Sequence, residues 1–87
     1  MLSLTQLSAY VAVVETGTFQ AAAERLGVSQ PTVSQSLRSL EAHFGVALIS
    51  RNRVRCEPTA AGNRLLRHAR AITRLAAVAE ESMLRPR

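Results

Sequence analysis

Lysine and tryptophan are missing from this chain, and cysteine occurs once. The single cysteine, Cys56, excludes a disulfide framework within the chain and fits a reducing, cytosolic setting. The two histidines, His43 and His68, are too widely separated to give metal-ligand spacing. No apolar run is long enough to span a bilayer, and the opening "MLSLTQLSAY" lacks the charged start and continuous apolar core of a signal peptide. A cytoplasmic protein with no membrane partner is therefore expected. There is no nucleophile elbow, no glycine-rich phosphate loop and no cluster of histidines with acids, so no catalytic constellation can be assembled and neither an enzyme nor a cofactor is expected.

What is present is a chain of 87 residues with 47% hydrophobic content, enough for one small domain with a single core. All eleven basic residues are arginine, which fits either GC-rich coding or selection for the guanidinium fork. The net charge of +5 is unevenly spread. Residues 1–50 have a balance of −1, whereas residues 51–87 hold nine arginines against Glu57, Glu80 and Glu81, a balance of +6.

Helical periodicity predicts three short helices, a strand pair and one long helix. Ser3 with Gln6 is a capping-box pattern, after which Leu7, Val11 and Val14 share a face until Gly17. Thr18 caps a second helix with Phe19, Ala22, Ala23 and Leu26 on one face, ended by Gly27. Ser29 caps a third helix over 29–44, with a proline in its first turn and a buried stripe of Val33, Leu37, Leu40 and Phe44. "VALIS" and "VRCEP", joined by "RNR", read as a hairpin in which Cys56 faces inward. Thr59 then caps a long helix. Its heptad seam runs through Gly62, Leu65, Ala69, Ile72, Ala76, Ala79 and Met83, with Arg67, Arg70 and Arg74 on the opposite, solvated face.

The third helix carries the chemistry. With Val33, Leu37, Leu40 and Phe44 inward, about 100° per residue turns Pro31, Gln35, Arg38 and Ser39 outward, with Thr32 and Ser34 on the flanks and Gln30 at the exposed entrance. Amides and hydroxyls in the first turns suit the major groove of DNA, where Gln pairs with the adenine edge and Ser and Thr bond to either partner. Base edges are neutral, so phosphate attraction has to come from elsewhere. Arg51, Arg53 and Arg55, at every second position, offer a row suited to phosphates or a narrow minor groove. Two alternatives stay open on these residues: an oligomerisation module built on the long helix, and a molybdate-sensor-like winged DNA-binding domain.

The run from Val11 to Arg51, "VAVVETGTFQAAAERLGVSQPTVSQSLRSLEAHFGVALISR", followed by "PTAAG", resembles the N-terminal DNA-binding domain of LysR-type transcriptional regulators. The resemblance covers nearly the whole chain. Its most specific parts are Ala22, Ala23, Leu26, "VSQPTVS", Leu40 with Glu41, Gly45, Leu48, Arg51, and Thr59 with Gly62. It implies a mainly α fold, a winged helix-turn-helix over 1–58 and a linker and dimerisation helix over 59–87. It also implies a homodimer on an inverted-repeat operator of double-stranded DNA. Carried over by position, Gln30, Pro31, Thr32, Ser34 and Gln35 match the start of the family's recognition helix, Thr18 and Gln20 a phosphate-approaching segment, and Arg51 with Arg53 the wing. Leu65, Ala69, Ile72, Ala76, Ala79 and Met83 form the expected dimer seam. Gln35 stands where the family often has arginine, Ile49 replaces a frequent phenylalanine, and Arg53 takes a place where glycine is common, so the preferred DNA sequence does not carry over. The resemblance further implies a small-molecule effector bound by a separate C-terminal domain, absent from these residues, which makes the chain an expected fragment.

Overall fold

Each helix starts where a serine or threonine oxygen accepts the backbone N–H three residues on: Ser3 from Gln6, Thr18 from Ala21, Ser29 from Thr32 and Thr59 from Gly62. The structure, a computed structural model, describes residues 1–51 and 54–86. Its elements are α1 (Leu4–Thr16), α2 (Phe19–Leu26), α3 (Gln30–Phe44), β1 (Ile49–Arg51), β2 (Cys56–Pro58) and α4 (Ala60–Leu84). Gln6 completes the capping box at Ser3, its Oε1 accepting the Ser3 N–H at 2.9 Å. Gly17 and Gly27 stop α1 and α2 in the left-handed region, at φ of 89° and 70°, where a side chain would be strained.

α1 is the central helix. It packs against α2 and α3 on one side and α4 on the other, so its buried surface is wider than one stripe. The sequence face of Leu7, Val11 and Val14 is corrected accordingly: Leu7, Tyr10 and Val13 are fully buried, while Val11 and Val14 are half-buried flanks. Val33, Leu37, Leu40 and Leu48 complete the set of large fully buried side chains among the described residues. Phe44, expected in the same stripe, is 43% exposed and borders a surface hollow with Val46, Leu65 and His68, while Leu48 fills the core.

Leu48 is the knot of the fold. The Tyr10 hydroxyl donates to its carbonyl at 2.8 Å across 38 residues of chain, and the Thr59 N–H donates to the same oxygen at 3.2 Å. The Glu41 carboxylate accepts the Leu48 and Ile49 N–H groups at 2.8 and 3.4 Å. Burial, reinforced by the nearby Glu41 charge, pushes the Tyr10 phenol up to about 12. α4 enters this knot through Gly62, where a Cβ would collide with the Leu48 carbonyl and the Tyr10 hydroxyl.

The hairpin is antiparallel and shorter than the sequence implied. Ile49 pairs with Pro58, Ser50 with Glu57 and Arg51 with Cys56, while Val46–Leu48 stay outside the strand. Cys56 is half-buried against the core, and its N–H donates to the Gly17 carbonyl at 2.8 Å, which ties the start of β2 to the end of α1.

Candidate nucleic-acid interface

The helix-turn-helix is formed by α2, the turn at Gly27 and α3, and the packing of Val33, Leu37 and Leu40 fixes which side of α3 meets solvent. Ser29 accepts the Thr32 N–H at 3.3 Å, and Pro31 sits in the first turn, where a missing N–H costs nothing. The first turns of α3 are thereby held rigidly with Gln30, Pro31 and Gln35 exposed and Ser34 half-buried. Together with Arg38 these residues line one shallow concavity.

A second depression lies beside it, where the start of α2, the start of α3 and the segment entering β2 meet. Thr18, Gln20, Gln30 and Arg55 border it, so Gln30 belongs to both hollows. Among the described residues no acidic side chain lines either one, and each carries one arginine. Uncharged hydrogen-bonding groups beside a cation match what DNA requires, with base edges read by amides and phosphates held by guanidinium groups.

Not every predicted residue joins this surface. Thr32 lies on the other flank of α3, bordering an apolar cleft with Leu4 and Val28, and its hydroxyl is 2.8 Å from the capping Ser29 oxygen. Ser39 is exposed as expected but accepts a hydrogen bond from the Gln6 amide at 3.1 Å. Arg51 has its backbone in β1, and Arg53 lies outside the described residues. Arg55 was singled out in the sequence only as one of an alternating row. It falls outside the paired strands, and the sequence signal for its place is the glycine at 17, whose absent Cβ leaves room for the Arg55 guanidinium.

The long helix also differs from its sequence reading. Ala69 is wholly buried within the chain and has no surface left for a second copy, so it drops out of the seam. Gly62 and Leu66 share that inward face. Arg70 is not merely solvated, since with Arg25 it pairs with Glu15, at 3.4 and 2.6 Å. Ile72, Leu75 and Met83 are 42%, 69% and 83% exposed, leaving an apolar stripe along α4. Among the described residues no group of His, Cys, Asp and Glu could hold a metal, and no helix is long and apolar enough to cross a membrane.

Residues 4–63 match the bacterial regulatory helix-turn-helix proteins of the lysR family. The HTH-type transcriptional regulator TcbR of Pseudomonas sp. (strain P51) is 44% identical over 75 residues, 86% of this chain and 26% of TcbR. The DNA-binding domain of CbnR, solved in complex with DNA, is 41% identical with a TM-score of 0.81 over 93% of both chains. ArgP from Mycobacterium tuberculosis is 45% identical with a TM-score of 0.83, over 98% of this chain and 32% of ArgP. Across eight curated relatives, this chain spans 21% to 42% of the relative's length. These likenesses decide against the molybdate-sensor-like alternative. A winged helix-turn-helix with a long following helix, matched over 60 residues, makes this chain a member of the lysR family of bacterial helix-turn-helix regulators.

Proposed function

We propose that this chain is the reading and pairing part of a transcription regulator, and that it binds double-stranded operator DNA in the cytoplasm without catalysing a reaction. Residues 1–58 form the reading head and residues 59–87 the linker and dimerisation helix. The observation that carries this reading is the capped first half of α3, whose solvent face presents Gln30, Gln35 and Arg38 beside the segment entering β2. CbnR, solved on DNA with the same fold, supports it.

Pairing through α4 completes the proposal. With Ala69 excluded, the seam is Leu65, Ile72, Ala76, Ala79 and Met83, with Leu75 at its edge. Leu65 and Ala76 are half-buried within the chain. α4 is 25 residues long, about 37 Å at 1.5 Å per residue, and residue 72 is its midpoint. An antiparallel pair centred on Ile72 would hold two reading heads apart by a distance comparable with the ~34 Å turn of DNA. Wing arginines 51 and 53 would add phosphate or minor-groove contacts, and a small-molecule effector would act through further domains of the intact regulator.

The test is selection of bound duplexes from a random pool, followed by affinity measurement at two salt concentrations. Enrichment of an inverted repeat, with binding that weakens as salt rises, is the expected result. A dimer with no salt-dependent affinity for duplex DNA would overturn it in favour of an oligomerisation module.

A further inference from the structure

We propose that Glu15 sets the angle between the reading head and α4, and through it the separation of operator half-sites that the paired chain accepts. This rests on the DNA-binding and pairing reading of the chain. Glu15 is in it a positioning residue, acting on DNA only through the helices it joins.

One carboxylate ties three helices together. Glu15 lies in the last turn of α1. Its Oε1 accepts from Nη1 of Arg25, in the last turn of α2, at 2.6 Å, and its Oε2 accepts from Nε of Arg70, on α4, at 3.4 Å. Each oxygen serves a different helix, so the pairing with Arg25 orients the carboxylate whose other oxygen meets α4. Because α2 leads into α3 through the turn at Gly27, the reading face is linked to α4 through this side chain.

Its place along α4 gives the pair its leverage. α4 is mounted on the head by its first part only: Gly62, Leu66 and Ala69 are buried, Thr73 and Ala76 half-buried, and residues 77–84 all exposed. Gly62 is fixed at the Leu48 knot, in an approach too close for a Cβ. Beyond Leu66 the inward side chains of Ala69, Thr73 and Ala76 are short, which leaves the tilt of α4 weakly specified by packing. Arg70 stands eight residues past Gly62, about 12 Å along the axis.

A slip of about 1 Å at Arg70 over that lever is a tilt of about 5°. Across a body 24 Å wide, the same tilt carries one reading head about 2 Å and parts two paired heads by about 4 Å, more than the ~3.4 Å rise of a base pair. An exposed ion pair adds little to stability. Orientations a few degrees apart differ little in energy, however, so a small contribution decides among them.

Arg74 lines the same hollow as Glu15 and Arg70, one turn further along α4, and stands ready to replace Arg70, so the acid is the residue to change. The experiment uses the 87-residue chain and inverted repeats built from the half-site recovered by random-pool selection, with the half-site separation varied base pair by base pair. The original chain should favour one separation. Glu15→Gln keeps the size of the side chain and removes its charge, and its penalty for one base pair more or fewer should shrink by about two- to thirtyfold, the worth of two exposed ion pairs, one per protomer. Affinity for a duplex with a single half-site should stay within about twofold, and the melting temperature within about 5 °C. Glu15→Asp should restore part of the penalty, and adding Arg70→Gln to Glu15→Gln should change the profile no further. An unchanged profile in Glu15→Gln, with the fold intact by circular dichroism, would overturn the role, as would an original chain that binds every separation equally. A matching loss of single-half-site affinity would also overturn it, assigning Glu15 to the integrity of the head. Failure of the original chain to bind any duplex would instead remove the DNA reading itself.

Discussion

Adding one methyl group at Gly62 tests the central claim about how this domain holds its parts together. In Gly62→Ala the new Cβ meets the Leu48 carbonyl and the Tyr10 hydroxyl, so α4 or the Leu48 loop must shift. Two effects oppose each other. Alanine is worth up to about 1 kcal/mol more than glycine inside a helix, and less in the first turn, where Gly62 lies. Overpacking costs about 1–3 kcal/mol, and displacement threatens the Tyr10 and Thr59 hydrogen bonds to Leu48, each worth about 0.5–1.5 kcal/mol. The clash wins. A net loss of about 1–3 kcal/mol should lower the melting temperature by roughly 5–20 °C in a domain of this size. Circular dichroism melts should be run at several protein concentrations, since association adds its own stability. The double variant Tyr10→Phe with Gly62→Ala removes one of the two obstructions, so its loss should be smaller than the sum of the single losses. A Gly62→Ala chain as stable as the original would refute the close approach of α4 to Leu48.

Tyr10 provides a second test: with its phenol held at about 12 in the fold against 10.0 in a free side chain, the fold favours the neutral form. That contribution is complete below pH 10 and is lost as pH climbs through 12, so alkaline unfolding titrations should show a steeper fall in the original chain than in Tyr10→Phe. Ile72→Asp places a charge on the exposed stripe of α4, and sedimentation should show monomers where the original chain pairs; a persisting dimer would move the interface elsewhere. Gln30→Ala should leave the fold and the salt slope intact while relaxing preference at one base position per half-site by about 1–3 kcal/mol, and a uniform loss at all positions would reassign Gln30 to the backbone.

The four helix starts and the stops at Gly17 and Gly27 were legible in the sequence because they are local. A hydroxyl three residues before the N–H it accepts, or a glycine where the chain must turn left-handed, involves only neighbours along the chain. The outward face of α3 was legible for the same reason, since Val33, Leu37 and Leu40 fix its rotation within one helix. Tertiary structure decided the rest. Tyr10 became a core residue because Leu48, 38 residues away, offers its hydroxyl a carbonyl. Ala69 and Ile72 sit in the same heptad pattern, yet docking on α1 buries the first and leaves the second in solvent. Arg55 reads in sequence as one of a row, and only the fold of the start of β2 onto Gly17 sets it beside Thr18 and Gln30. Periodicity specifies which residues share a face, but which of two apolar faces is covered depends on a partner element that arrives from elsewhere in the chain.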